Sequence, residues 1–392
     1  MAESLTLMHV ISGLHVGGAE QMLYRLVKHH SQLGNKCAVV SLGSRGDFGE
    51  RITRSGVELH TLGMRRGQTP SLAHLRHLHK IARALGPSII QGWMYHGNLA
   101  ASFSIISRPR SIPVVWNIRQ SLGPSSEESR RTRRVITAGK ILSRLPSGII
   151  YNSRQSLDQH TQLGYQNSNS LFIPNGFQAE ELKKSQTKRS LLRAKYGIGF
   201  NTRVIVHIGR LHLKKDHKTF LKAFAKVLQC RPHVRLLMAG RGVSVGTAMF
   251  REAMQSASFK KAAVLLGENN DVNGVLSASD IFVSSSSWGE GFSNVLGEAM
   301  AHGLACISTN VGEASAMLYE SGEICAPSDA EALADSMVRM IDESNDQLVR
   351  RGERARATIE RKYSIKSISQ EYLNIYDRLR HQKVVSVGRQ NK

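Results

Sequence analysis

Apolar residues fall along the chain in two spacings. Short apolar runs at Leu7–Ile11, Lys36–Leu42, Val57–Leu62, Ser88–Gln91, Pro113–Asn117, Gly148–Tyr151 and Leu171–Ile173 predict strands. Between them, Leu23, Leu26, Val27 and Leu33, and later Leu72, Leu75, Leu78, Ile81 and Leu85, recur at helical spacing and predict helices with one buried face. Strands alternating with helices build a parallel sheet covered by helices. The pattern breaks at Ile173-Pro174-Asn175-Gly176, where strong turn formers cluster, and a polar, basic segment follows to about Gly199. A second alternating series then begins at Val204–Ile208. It continues through Leu236–Ala239, Val264–Leu266, Ile281–Val283, Ala305–Ser308 and Glu323–Cys325, with helices over Phe220–Leu228, Val272–Ala278, Asn294–His302 and Ala330–Ile341. The expected fold is α/β, with one doubly wound domain over 1–176 and a second over 177–363. Ligands of such sheets bind beyond the carboxyl ends of the strands, which points to a cleft between the domains.

Composition narrows this picture. A length of 392 residues with 41% apolar content suits two or three domains with real cores and excludes disorder except at the ends. Cys37, Cys230, Cys306 and Cys325 lie scattered without C-x-x-C spacing, so a disulfide scaffold or structural zinc site is not expected, and a reducing compartment is. The stretch Met1–Val10 lacks the basic and long apolar regions of a signal peptide. The most apolar stretch, Ser88–Ile106, contains Gln91, His96 and Asn98 and is too polar to span a bilayer. A soluble, cytoplasmic protein is expected.

The net charge of +23 is lopsided: residues 1–178 carry 21 basic against 8 acidic groups. The densest run is Arg130, Arg131, Arg133, Arg134, Lys140 and Arg144. Such a cluster favours anionic lipid headgroups, nucleic acid or phosphorylated ligands, while a merely solvated face is the plainer reading.

Three constellations could carry chemistry. Gly17-Gly18-Ala19-Glu20 lies between a strand and a helix, where glycines let backbone amides approach an anion. A tight turn and nothing more reads the same residues equally well. Gly209-Arg210-Leu211-His212-Leu213-Lys214-Lys215 follows a strand directly, and Arg210 and Lys215 could clamp a diphosphate. The third runs from Glu290 to Glu298, two carboxylates with seven residues between them. A helix starting near Ser293 would aim the amides of Gly291, Phe292, Ser293, Asn294 and Val295 at hydroxyl or phosphate oxygens. Glu298 could then accept hydrogen bonds from a ribose diol and Glu290 from a sugar hydroxyl. Their plainer readings are a surface helix acid and an acid that complements the helix dipole.

Taken together these residues resemble a family-four retaining glycosyltransferase of the GT-B fold, whose E-x7-E motif matches Glu290 and Glu298. Further similarities lie at Gly17–Glu20, Ile173–Gly176, His207-Ile208-Gly209-Arg210-Leu211 with Lys215, Asp280–Ser284, Glu298–Gly303 and Val311-Gly312-Glu313. Tyr363–Arg380 resembles the fold's last helix, which returns to the N-terminal domain, so 364–392 is assigned there. The resemblance implies transfer of a sugar, with retention of anomeric configuration, from a UDP- or GDP-linked donor to a lipid-linked glycan acceptor in cell-surface polysaccharide synthesis. Arg210, Lys215 and Glu290 would be catalytic. Gly17, Gly18, Gly209, Gly291 to Val295 and Glu298 would bind the donor. No cofactor and no metal are implied, in keeping with the absence of a D-x-D motif. Where many relatives carry a histidine near the donor sugar, this chain has Asn117-Ile118-Arg119. Asn117 or Arg119 could serve instead, and His96, after another strand, is a further candidate contact.

The lipid-linked acceptor places the protein peripherally on the inner face of the cytoplasmic membrane. A sugar-nucleotide epimerase of the same layout is the alternative enzyme; it would lack this E-x7-E context. A basic nucleic-acid-binding protein is the alternative from another class, and the chain has no recognition motif for it.

Overall fold

The computed structural model describes residues 4–65, 68, 70–105, 112–124, 129–269 and 271–390. The chain divides into two compact units, one of residues 1–176 with 365–392 and the other of 177–364.

The first unit is built on seven parallel strands: β1 (Thr6–Ile11), β2 (Lys36–Ser41), β3 (Glu58–Thr61), β4 (Ile89–Trp93), β5 (Val114–Ile118), β6 (Gly148–Tyr151) and β7 (Ser170–Phe172). Their order is β3-β2-β1-β4-β5-β6-β7. β4, β5 and β6 are buried along their whole length, as expected of strands covered on both faces. The helix Gly18–Gln32 buries Leu23, Leu26 and Val27 completely, but Leu33 is 53% exposed because the helix has already ended at Gln32. Leu72, also expected on a buried face, is 62% exposed. It is the first helical residue after the Ser71 cap, ahead of the turn that meets the sheet.

The terminal helix Ile365–Gln390 belongs to this unit. Ile365, Ile368, Tyr372, Tyr376 and Leu379 enter the same core as Leu23, Leu26, Trp93 and Ile150. Polar pairs fix its register: His29 Nδ1 meets Ser369 Oγ at 2.9 Å, and the Tyr376 hydroxyl donates to Gln91 Oε1.

The second unit holds six parallel strands: β8 (Val204–Ile208), β9 (Arg235–Ala239), β10 (Ala263–Gly267), β11 (Ile281–Ser284), β12 (Ala305–Thr309) and β13 (Gly322–Cys325). Their order is β10-β9-β8-β11-β12-β13. In each sheet the order reverses once, between β1 and β4 and between β8 and β11. Such switch points open a crevice at the carboxyl ends of the two neighbouring strands.

The basic segment before β8 is largely structural. It contains the helix Gln186–Lys195, capped by Ser185, whose arginines turn inward. Asp280, just before β11, takes Arg189 at 2.7 Å and Arg193 at 2.8 Å and accepts from the Val204 amide at 2.9 Å. This cluster ties the amino ends of β8 and β11 together, away from the end where ligands bind.

Candidate functional site

The switch point of the second unit gathers the charged residues of two loops. β8 ends at Ile208. Gly209 N then donates to Ala239 O at 2.9 Å, and Leu211 N to Arg241 O at 2.8 Å, which pins the loop to the end of β9. Gly240 (φ +146°) makes that approach possible, since a Cβ there would lie 2.1 Å from Gly209 O. Arg210 is exposed on this pinned backbone, and its guanidinium makes no hydrogen bond or ion pair among the described residues. Behind the loop, His217 Nε2 lies 3.3 Å from Gly209 O and His207 Nε2 3.2 Å from Ser285 Oγ. Burial holds both imidazoles below their ordinary range, His217 at about 4, so both are neutral at pH 7 and add no charge behind Arg210.

The loop after β11 is joined to this one. Ser285 Oγ donates to Lys215 O at 2.8 Å, and Ser287 N to Lys214 O at 2.8 Å. Lys215 runs its stem along Gly209, where a Cβ would come within 3.4 Å of it, and its Nζ meets Glu290 Oε1 at 2.5 Å. Both side chains are about a fifth exposed, at 20% and 18%. Burial pushes the Glu290 carboxyl upward. Lys215, the Ser286 hydroxyl at 3.1 Å and the charge of Lys214 together outweigh that, so Glu290 lies below the ordinary carboxylate range and is ionised at pH 7. The sequence suggested separate duties for Lys215 and Glu290; the structure makes them one ion pair beside the unpaired Arg210.

The helix Asn294–Ala301 starts where expected, with Ser293 as its cap accepting from Leu296 N at 3.5 Å. Its first-turn amides point out of the amino terminus toward the Glu290 loop. Gly291 is held from behind: Glu313 N donates to Gly291 O at 3.0 Å, and Gly312 (φ +63°) lies where a Cβ would be 2.2 Å from that oxygen. Glu298 is only 5% exposed, which excludes the reading as a surface helix acid. The Phe292 side chain is not open to a ligand. Its ring is 4% exposed and packs 5.1 Å from Tyr363 and 6.1 Å from Phe177 in the core, because the turn needs an apolar anchor beneath it.

In the first unit, Gly17 caps the helix Gly18–Gln32 in an extended conformation, and a Cβ on it would lie 2.3 Å from Glu20 Oε2. Gly18 is exposed at the helix start. His96 is exposed in the first turn of the helix Met94–Phe103, directly after β4, and the non-glycine Met94 begins that helix at φ +58°. Asn117 and Arg119 require a correction. Asn117 is 0% exposed and donates through Nδ2 to the Tyr372 hydroxyl at 3.0 Å. Arg119 is 8% exposed and donates to Asn117 Oδ1 and the Tyr372 hydroxyl, each at 2.9 Å, and to Asn175 Oδ1. Its guanidinium also lies 5.3 Å from the Trp93 ring. These side chains are spent on tying the end of β5 to the terminal helix and to Asn175, and do not stand open to a substrate.

Two family models match the chain. Residues 16–181 match "Glycosyltransferase Family 4", and residues 202–343 match "Glycosyl transferases group 1". The chain belongs to the family-4 glycosyltransferases. Among relatives, N-acetyl-alpha-D-glucosaminyl L-malate synthase of Bacillus anthracis is 29% identical over 196 residues, covering 49% of this chain and 50% of that one. The UDP-Gal:alpha-D-GlcNAc-diphosphoundecaprenol alpha-1,3-galactosyltransferase of Escherichia coli is 27% identical over 175 residues, covering 44% and 45%. The matches thus span about half the length of these relatives. Anabaena HepE, solved in complex with UDP, superposes with a TM-score of 0.81 at 21% identity over 95% of this chain and 100% of that one. The fold is GT-B.

In this family-4 chain the E-x7-E pair therefore straddles the start of one helix, with Glu290 on the loop and Glu298 buried about a turn inside. Sequence reasoning missed Ser286, which supports Glu290, and the role of Val311-Gly312-Glu313 as a brace for Gly291; that triplet was matched only as a motif. Among the described residues no cluster of three or more His, Cys, Asp and Glu side chains is placed to hold a metal ion.

Proposed function

We propose that this family-4 enzyme transfers a sugar from a UDP- or GDP-linked donor to a lipid-linked glycan acceptor in cell-surface polysaccharide synthesis, with retention of configuration. The observation that carries the reading is the unpaired Arg210 beside the Lys215–Glu290 pair, at the switch point of the second unit and in front of a helix amino terminus. A donor diphosphate complements that arrangement: Arg210 takes phosphate oxygens, the first-turn amides of Gly291–Val295 take others, and Lys215 stabilises the charge that develops on the departing nucleotide. Glu290, already ionised, then meets a hydroxyl of the donor sugar and holds it against Lys215. Glu298 accepts from the ribose diol; its place about one turn inside the helix that follows the Glu290 loop supports this role.

Glu298→Ala should weaken donor binding by about tenfold or more, since a hydrogen bond to a charged group contributes roughly 1.5–3 kcal/mol. Calorimetry reads this directly, and an unchanged donor affinity would remove Glu298 from the site. The same scheme uses side-chain cations where other transferases use a metal, so turnover should persist in excess EDTA. Loss of activity in EDTA with recovery on adding magnesium would contradict it.

We further propose that the enzyme acts at the inner face of the cytoplasmic membrane. No helix among the described residues is long and apolar enough to cross a bilayer. The helix Arg130–Leu142 exposes Arg130, Arg131, Arg133 and Arg134, and Ile141 and Leu145 are 73% and 62% exposed on the same stretch. Exposed apolar residues beside a basic run suit an anionic surface better than a purely solvated face does. With about 1 kcal/mol per basic residue, four arginines give reversible, salt-sensitive attachment. Wild type should sediment with anionic vesicles at low salt and be released as salt rises. Replacing all four arginines with Gln should abolish most of that binding, and retention of it would exclude this patch.

A further inference from the structure

The three tryptophans of the chain are used in two different ways. Trp93 is 0% exposed and its Nε1 donates to His9 Nδ1 at 3.1 Å; Trp116 is 1% exposed and donates to Ser102 Oγ at 2.9 Å. Trp288 differs on both counts. It is partly exposed, and its indole N–H makes no hydrogen bond among the described residues. It is nevertheless held in place. Lys214 Nζ lies 4.7 Å from the ring centroid, and the His212 ring approaches edge-on at 6.4 Å. The next residue, Gly289, adopts φ +70°, and a Cβ there would lie 2.9 Å from Lys214 Cδ and Nζ, so the turn is shaped around that lysine. Directly after Gly289 comes Glu290, whose carboxylate meets Lys215 at 2.5 Å.

A fixed indole with one polar edge left to solvent, on the loop that carries Glu290, has the chemistry of a pyranose ring's counterpart. The apolar C–H face of a sugar packs on an aromatic surface, and a ring hydroxyl at its rim can accept from Nε1–H. We propose that Trp288 is a sugar-contacting residue of this enzyme: it packs against a pyranose ring, donates its indole N–H to a hydroxyl of that ring, and sets preference among sugars without touching the nucleotide. Lys214 and Gly289 act as its positioning residues. The inference rests on the nucleotide-sugar reading given above. The ring belongs either to the donor sugar or to the terminal sugar of the acceptor, and the two sources are separable.

Acrylamide quenching of tryptophan fluorescence in the wild-type protein tests it. Trp93 and Trp116 are shielded, so the quenchable component is that of Trp288, and Trp288→Phe should remove it. A nucleoside diphosphate alone should leave quenching unchanged. If the ring is the donor's, the matching nucleotide-sugar should reduce quenching severalfold; if it is the acceptor's, the glycan should do so and the donor should not. The kinetics should follow: Trp288→Ala raises KM for that one substrate by about tenfold, Trp288→Phe by less, and calorimetric affinity for the nucleotide stays within about twofold. Protection by the nucleotide alone, equal to that by nucleotide-sugar, would overturn the assignment. So would a nucleotide-sugar and a glycan that both bind by calorimetry without protecting Trp288, an outcome that leaves the transferase reading intact. If no nucleotide-sugar binds at all, that reading fails and this inference with it.

Discussion

Arg210→Ala is expected to lower the rate of sugar transfer by roughly 100-fold or more, the loss typical when a preorganised charge opposite a developing anion is removed. The fold places no other partner on this guanidinium among the described residues, so its removal leaves no orphaned acid and should not unsettle the unit. Turnover should fall with an unchanged melting temperature. Lys215→Ala should lower turnover comparably but with a second effect, because Glu290 then loses the ammonium held 2.5 Å away. Breaking a partly buried pair from one side costs stability as well as rate. Measuring kcat and thermal stability on both variants separates the two residues. Equal stability losses in the two variants would show that Arg210 has a structural partner after all, and full activity in Arg210→Ala would remove it from the reaction.

The second large effect is structural and lies at the opposite end of the same sheet. Asp280→Ala should destabilise the second unit by about 3–5 kcal/mol, the loss seen when one partner of a buried ion pair is removed. Arg193, whose side chain is 4% exposed, would be left facing an empty position, as would Arg189 and the Val204 amide. For a unit of this size that corresponds to a lowering of the melting temperature on the order of 10 °C. Donor affinity, measured well below the transition, should be unchanged. A variant that melts like wild type would mean that the cluster is solvated rather than buried.

The strands and most helices were legible because buried parallel strands are short, almost wholly apolar and bounded by Gly, Pro and polar turns. The errors lie at element ends. Leu33 and Leu72 continue the helical spacing, yet fall just outside or at the very start of their helices, where no neighbour covers them. The site was legible as far as it is local in sequence: a helix start near Ser293 and Arg210 directly after a strand are both read from a few adjacent residues. What could not be read was whatever depends on two distant loops meeting. Nothing in the sequence pairs Lys215 with Glu290, or Lys214 with Trp288. Nor does it show that Arg119 is occupied by Tyr372 and Asn175, because those partners are brought together only by the return of the terminal helix. Phe292 illustrates the opposite case, a residue in the middle of a binding motif whose side chain serves the core.

Sugar transfer to a lipid-linked acceptor can be measured directly. The purified enzyme is incubated with a panel of radiolabelled UDP- and GDP-linked sugars and polyprenyl-diphosphate-linked glycan acceptors, and the label is followed into the organic-extractable fraction. One donor should deliver its label to the lipid fraction, with nucleoside diphosphate released in equal amount and the transferred sugar keeping its anomeric configuration. Label that stays on the nucleotide, or returns as an epimerised nucleotide-sugar with no lipid product from any donor, would contradict sugar transfer to lipid.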